Sequence, residues 1–463
     1  MVSYWFDDAI AAEAGAQPVP LAGERRCDVC VVGGGVTGLW TAIHLKEREP
    51  ALDVVLIDKG LCGSGSSGRN AGFVMSWSPK IATLVALYGA QEAVRLFRAS
   101  EEAVRSIGAF CRTHRIECQF RHDGWLWTAT SGAQLGAWNA TVEQFERLGD
   151  SPFTVLSREE SQARCGSGLA LAGAFDRGVA TVQPAALTRG LARRARESGV
   201  EIHEDTPMLA LDRSRPPAIR TPRGRIAAKS VVLALNAWAV ELPEFRRSML
   251  VVGGDAMVTR PIPERLERAG STSAVAVSDS RLLVDWFRRT ADGRLVVGKG
   301  ATGFVFGGRL GTSLDGAVRR RTELEAGLRR WFPELADAPV AATWRGPVTR
   351  TRSGLPFFGH LGGHPAIVYG HGYTGNGMGP SYLAGKILSA MALGIEDEWS
   401  TSPLARRPAE VFLPPEPFRY VGARIARRAV VRKEGAEDAG RNPRALDARI
   451  ARLLPASLSP VKK

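Results

Sequence analysis

The chain has 463 residues, a net charge of +14 and 44% hydrophobic residues. That length exceeds what one hydrophobic core serves and suits two interleaved domains, and the composition excludes a disordered chain. The charge fits a soluble arginine-rich protein, an anionic substrate, an acidic membrane surface or nucleic acid, without choosing among them.

The opening Met1-Val2-Ser3-Tyr4-Trp5-Phe6-Asp7-Asp8 is acidic and has no basic flank before an apolar stretch, so it does not read as a secretory signal. The longest apolar-looking run, Val29 to Leu45, is broken by glycines and His44 and reads as strand, turn and helix rather than a membrane span. All six cysteines precede Gly166. Cys27 and Cys30 form a CxxC pair, but inside a buried-strand pattern, so neither a disulfide framework nor a metal site is expected. Free thiols fit a reducing cytoplasm, the expected location.

Val29-Cys30-Val31-Val32 predicts a strand, and Leu39 to Leu45 a helix that Pro50 ends. Between them Gly33, Gly35 and Gly38 fit GxGxxG. The first glycine permits a tight turn, the second a close backbone approach to pyrophosphate, and the third close helix–strand packing. The N–H groups of the helix start then face the phosphates. A second strand, Val54 to Ile57, ends in Asp58, 20 residues after Gly38, where a carboxylate accepts hydrogen bonds from a ribose. This order of strand, glycines, helix, strand and acid predicts dinucleotide binding. The pattern alone leaves FAD and NAD(P) open. The polar loop Gly63 to Gly72 follows directly, with Ser67, Arg69, Asn70 and Ala71, and is suited to wrapping a large cofactor.

Further along, a helix is predicted from Ala185 to Ser198, then a strand at Val200 to His203 and a buried strand from Ser230 running to a turn at Asn236. Near the end come a strand at Ala366 to Tyr369, a glycine-rich loop from Gly370 to Gly379 and a helix from Ser381 to Met391, whose positive N-terminal end suits an anion. The FAD-binding domain is accordingly assigned to residues 26–80, 176–240 and 341–395. A substrate domain takes 81–175, expected to be mostly helical, and 241–340, where Leu282 to Arg288 and Arg294 to Gly298 flank a turn. Residues 396–463 form a basic C-terminal extension.

The dinucleotide motif, the Ser67-Gly68-Arg69-Asn70-Ala71-Gly72 loop and the Gly372-Tyr373-Thr374-Gly375-Asn376-Gly377 loop resemble the D-amino acid oxidase superfamily over residues 27–395, in the branch of glycine oxidase and gamma-glutamylputrescine oxidase. A closer resemblance, through Gly63 to Asn70, Val200 to Leu211, Gly293 to Gly300 and Glu416 to Gly422, is to the aminophosphonate oxidoreductase family. The resemblance implies an α/β fold: a Rossmann-like FAD-binding domain interleaved with an α+β substrate domain. It implies that Gly33, Gly35, Gly38 and Asp58 hold the ADP half of FAD. Ser67, Arg69 and Asn70 would lie by the pyrophosphate and isoalloxazine, Met208 near the adenine, and Gly375, Asn376, Gly377 and Met378 at the flavin pyrimidine edge. Lys59, Ala71, Gly72 and Asn236 join the cofactor-binding set. No cysteine follows Cys165, so non-covalent FAD is expected, unlike the covalent flavin of sarcosine oxidases. Glycine oxidases carry an arginine just before a proline on a late strand. Here Gly346 precedes Pro347, which departs from a simple α-amino acid site.

The implied chemistry is oxidation of a small amine. A neutral amine gives hydride to flavin N5, and the imine hydrolyses to an aldehyde. Geometry and electrostatics matter more than a strong base. The expected substrate is an aminophosphonate such as 2-aminoethylphosphonate; the alternative is gamma-glutamylputrescine or another polyamine-derived amine. O2 or another molecule accepts the electrons. Arg350 and Arg352 approach the flavin loop and suit an anionic headgroup. Lys299 could bind the same anion or assist oxygen reduction, and His371 tune flavin or contact substrate. Trp77 and Trp344 are candidate pocket walls. A flavin-dependent tRNA-modifying protein and an NAD(P)-linked dehydrogenase are the competing classes; no RNA-binding module is evident, so no nucleic-acid partner is expected. Between Arg419 and Lys433 lie six basic residues and no acidic one, interleaved with Tyr420, Val421, Ile425, Val430 and Val431. This segment is expected to pack on the body or another subunit, with peripheral membrane contact as the other reading.

Overall fold

A computed structural model describes residues 2–13, 18–308, 310–314, 318 and 320–453. The β-branched run ending at Val32 forms the centre of an eight-stranded sheet. Its main path runs Phe357–His360, Ile367–His371, Gly224–Leu233, Gly23–Val32, Val54–Ile57, Glu201–His203. Four of the five pairings on this path are parallel, with Val31 set between Leu56 and Val232. Helices cover such a sheet on both faces, so its strands are apolar without alternation. Val29 and Val31 enter one core with Leu39, Trp40 and Ile43 of helix Val36–Arg48. Cys30 and Val32 enter another with Ile57, Leu233 and Tyr369.

A second eight-stranded sheet carries Leu250–Thr259, Leu295–Phe304 and Val340–Arg350 as neighbours, and continues through Asp285–Arg289 and Ala276–Asp279. Met257, Phe287 and Val297 pack there against Trp331 of helix Arg321–Trp331. The α/β fold with a cofactor sheet and a substrate sheet is thus as expected. Residues 81–175 are mostly helical, as expected, and also add strands to the second sheet. They contain helix Ala90–Thr113, but also Trp125–Ala129, Phe153–Leu156 and Ala172–Asp176 as strands of the second sheet. All five residues of Trp125–Ala129 are buried, so the strand has no polar–apolar alternation to announce it.

Both ends of the chain are helical. Tyr4–Ala11 is capped by Ser3, whose Oγ accepts from Phe6 N and donates to Gly68 O at 2.6 Å, tying the N-terminus to the cofactor loop. Phe418–Asp438 packs on the substrate sheet, where Val430 meets Leu282, Leu283 and Ala301. The Glu434 carboxylate accepts from Leu282 N and Leu283 N at 2.8 and 3.2 Å. The packing reading of the C-terminal segment therefore describes one face of this helix. Among the described residues, no helix is long and apolar enough to cross a membrane.

Candidate active site

A cavity of about 1150 Å³ runs from the end of the parallel sheet to the second sheet. At one end stand Gly33, Gly35, Asp58, Lys59 and Met208, at the other Lys80, Trp125, Ser278, Lys299 and Arg350. It exceeds the roughly 300–1,000 Å³ of most ligand sites, as a site for a cofactor plus a substrate must.

The glycine turn is built as the motif requires. Gly33 has φ +116, a conformation other residues avoid. A Cβ on Gly38 would stand 1.9 Å from Gly33 O, so only glycine lets the helix start this close to the strand. The Ser67 Oγ accepts from Val36 N at 3.0 Å and fastens the polar loop to that helix start. Asp58 accepts from Gly34 N at 2.6 Å and Gly60 N at 2.9 Å. Burial raises its pKa to about 6, against the pull of those two donors. Lys59 lies 4.4 Å over the Trp238 ring.

The polar loop is ordered by its own side chains. Asn70 donates to Ser67 O at 2.8 Å and accepts from Gly72 N at 2.7 Å, and Arg69 Nε donates to Ser64 O at 2.8 Å. Ala71 lines the cavity, whereas Gly72 sits behind it against Val182 O. Gly375, Asn376, Gly377 and Met378 also line the cavity, and Met378 Sδ accepts from Asn70 Nδ2 at 3.3 Å. Asn376 Nδ2 donates to Ser76 O at 2.8 Å, while its buried Oδ1 has no hydrogen-bond partner among the described residues. An orphaned acceptor at this edge fits a flavin, whose pyrimidine ring offers an N–H. Asn236 Oδ1 accepts from Gly372 N and Thr349 Oγ1, both at 3.1 Å, which locks the same loop to the sheet end.

The substrate candidates separate. Arg350 is buried at the cavity wall, donates to Thr374 O at 2.6 Å and leaves Nε without a partner. Burial lowers its pKa to about 10. Lys299 lines the cavity but is paired with Asp285 at 2.7 Å, so its charge is answered. Arg352 is exposed and outside the cavity lining, contrary to a role on the substrate anion. His371 ends strand Ile367–His371, fully buried behind the cavity. Its Nδ1 accepts from Asn236 N at 3.2 Å, and burial pulls its pKa down to about 3. It therefore supports Asn236 rather than reaching a bound molecule. Trp77 lines the cavity, but Trp344 lies outside the lining and donates to Arg69 O at 2.9 Å. Gly346 faces the site, since a Cβ there would lie 3.2 Å from Arg69 Cβ. Arg345 pairs instead with buried Asp255 at 2.5 Å, so no arginine just before Pro347 reaches the cavity.

Sequence reasoning missed Lys80. It follows the polar loop Gly63 to Gly72 in Trp77-Ser78-Pro79-Lys80, which is the one hint of its place. It is buried beside Arg350, and burial first and that arginine second lower its pKa to about 8. Trp125 and Ser278 were missed too. They come from adjacent strands and are joined by a 2.9 Å hydrogen bond from Trp125 Nε1.

Fold and cavity together define a flavin-dependent oxidoreductase. The family model for FAD-dependent oxidoreductases of the DAO type matches residues 28–391, and the chain belongs to this family, acting on CH–NH groups with FAD. It is 30% identical over 371 residues to gamma-glutamylputrescine oxidoreductase of Escherichia coli, covering 80% of this chain and 84% of that one. It is 30% identical over 404 residues to "Probable oxidoreductase OrdL" of Rhizobium meliloti, covering 85% and 89%. Among solved structures, glycine oxidase from Geobacillus kaustophilus superposes with a TM-score of 0.67 at 23% identity, over 84% of this chain and 100% of that one.

FAD binding is expected to depend on pH through Asp58. Its pKa is raised in the cavity, so the empty site holds a protonated carboxyl below about pH 6. The expected ribose hydroxyl would donate to the ionised form, so binding would release the proton. FAD affinity of apoprotein is expected to be level above pH 7 and to fall as pH drops through about 6, approaching tenfold per unit. Flavin fluorescence titrations between pH 8 and 5 measure this. Asp58→Asn should bind more weakly and lose the pH dependence.

Proposed function

We propose that the chain oxidises the amine of a polyamine-derived substrate with an anionic end, gamma-glutamylputrescine being the leading candidate. The observation that carries this reading is the buried pair Lys80 and Arg350. Both line the cavity, as does the Gly375–Met378 loop, and among the described residues no carboxylate offsets either: the charge acting on Lys80 is that of Arg350. Two buried cations without a counter-ion call for a bound anion. The similarity to gamma-glutamylputrescine oxidoreductase supports the amine class. The aminophosphonate expectation has no such support and gives way to what was its alternative.

When bound, FAD supplies the two-electron acceptor. The substrate loses a C–H hydride and an N–H proton, giving an imine; water adds to the imine, which yields an aldehyde and ammonia. Lys80 and Arg350 hold the anionic end. Trp77, Trp125 and Trp286 wall the cavity and exclude water from the carbon that reacts. Steady-state kcat/KM for gamma-glutamylputrescine, putrescine, 2-aminoethylphosphonate and glycine tests the reading. Gamma-glutamylputrescine is expected to lead by at least about tenfold, or about 1.4 kcal/mol of transition-state binding. A lead for putrescine, the phosphonate or glycine would overturn it.

A further inference from the structure

The C-terminal helix Phe418–Asp438 takes no part in the flavin cavity, yet it builds a second one. This cavity, of about 270 Å³, lies where the helix crosses strands Leu295–Phe304 and Val340–Arg350. Arg320, Arg345, Arg424, Arg427 and Arg428 line it, with Tyr420. Two carboxylates answer part of that charge. Glu323 binds Arg320 at 2.7 Å and Arg427 at 2.8 Å, and Asp255 binds Arg345 at 2.5 Å. Nearby Glu416 is taken up by Arg419 at 2.7 Å. Arg424 meets the Tyr420 ring and hydroxyl, the latter at 3.4 Å, and among the described residues neither Arg424 nor Arg428 has a carboxylate partner. The pocket thus keeps an excess of guanidinium groups, whose forked donors match phosphate oxygens.

What surrounds the pocket is as unusual as its charge. Phe418, Val421 and Ile425 are 69%, 50% and 51% exposed. Their spacing of three and four residues sets them in one stripe along the helix. Arg424 and Arg428 occupy the stripe beside it. Phe306, 59% exposed, packs its edge on Tyr420 at 5.7 Å and extends the apolar rim to the other side of the pocket. The opposite face of the helix is buried through Ala426, Ala429 and Val430, so the exposed stripe is not left over from core packing.

We propose that this face docks on an anionic phospholipid membrane, with a headgroup phosphate in the arginine pocket and Phe306, Phe418, Val421 and Ile425 in the interfacial layer. A pocket for soluble phosphate needs the arginines but not an apolar rim. A bilayer surface meets both, because its phosphates lie just outside its acyl chains. Among the described residues no helix can span a bilayer, so the contact is peripheral. The net charge of +14 adds long-range attraction to the same surface.

The test is flotation of the full FAD-loaded chain with vesicles of phosphatidylcholine alone or mixed with phosphatidylglycerol. Binding is expected to the mixed vesicles only, and to weaken with salt. The pairs R424A/R428A and V421S/I425S are each expected to weaken it at least tenfold. Flavin content and turnover of a soluble amine should stay unchanged, since none of the four residues lines the flavin cavity. In the unmodified chain, soluble glycerol phosphate should compete only weakly, because it lacks acyl chains. Absence of binding to mixed vesicles at low salt overturns the proposal. So does binding indifferent to either variant pair. Tight binding of inorganic phosphate, lost in R424A/R428A and kept in V421S/I425S without any vesicle binding, assigns the pocket to a soluble anion instead.

Discussion

Gly38→Ala is expected to yield protein that purifies without flavin colour. The added methyl would lie 1.9 Å from Gly33 O, 3.1 Å from Gly33 C and 3.2 Å from Val31 Cγ1. The nearest of these atoms is backbone, so no rotamer change relieves the clash. The helix start must move off the strand, and its N–H groups move with it, away from the pyrophosphate. Overpacking of this kind costs about 1–3 kcal/mol of stability. The loss of FAD affinity should be larger, at least about 100-fold, because each phosphate contact depends on the displaced turn. Visible absorbance of the purified protein and melting with and without added FAD separate the two effects. Full flavin occupancy at an unchanged melting temperature would remove the glycine turn from the cofactor site.

Arg350→Met should lower kcat/KM for an anionic-ended amine by about 100-fold, or about 2.7 kcal/mol, the range of charge-assisted contacts in a dry site. Its effect on putrescine, which has no anion to hold, should be within about threefold. A uniform loss on both substrates would make Arg350 a structural or flavin contact. Lys80 adds a pH signature. Its folded pKa is depressed to about 8, so its ammonium is present below that pH and lost above it. KM for the anionic substrate is expected to climb as pH rises through about 8, with no such rise for putrescine. Lys80→Met should raise KM at pH 7 and flatten the profile. Unchanged profiles would exclude Lys80 from substrate binding.

The parts of the site that read clearly in the sequence are local. Gly33, Gly35, Gly38 and Asp58 are tied to one strand–helix–strand unit, where spacing alone fixes neighbours. The loop from Ser67 to Asn70 reads for the same reason, being ordered by hydrogen bonds among residues two to five apart. The substrate end is different. His371 lies in the glycine-rich segment and Arg350 on its approach, yet one is sealed behind Asn236 and the other opens on the cavity. Lys299 and Lys80 have the same charge, but Asp285 answers only the first. That pairing is made across one hairpin, where Asp285 stands opposite Lys299, whereas Lys80 and Arg350 meet only through elements far apart in the chain.

The sequence by itself determined the cofactor half of this protein: the parallel strands, the glycine turn and Asp58 at the end of the second strand, because each is a short-range pattern with one geometric solution. It also marked the C-terminal segment as basic and amphipathic. Only the tertiary structure decided which cations face the cavity, that Arg345 turns away to Asp255, and that Arg424 and Arg428 sit beside an exposed apolar stripe. Charge is written residue by residue, but whether it is buried, neutralised or left seeking an anion follows from contacts between elements far apart in the chain.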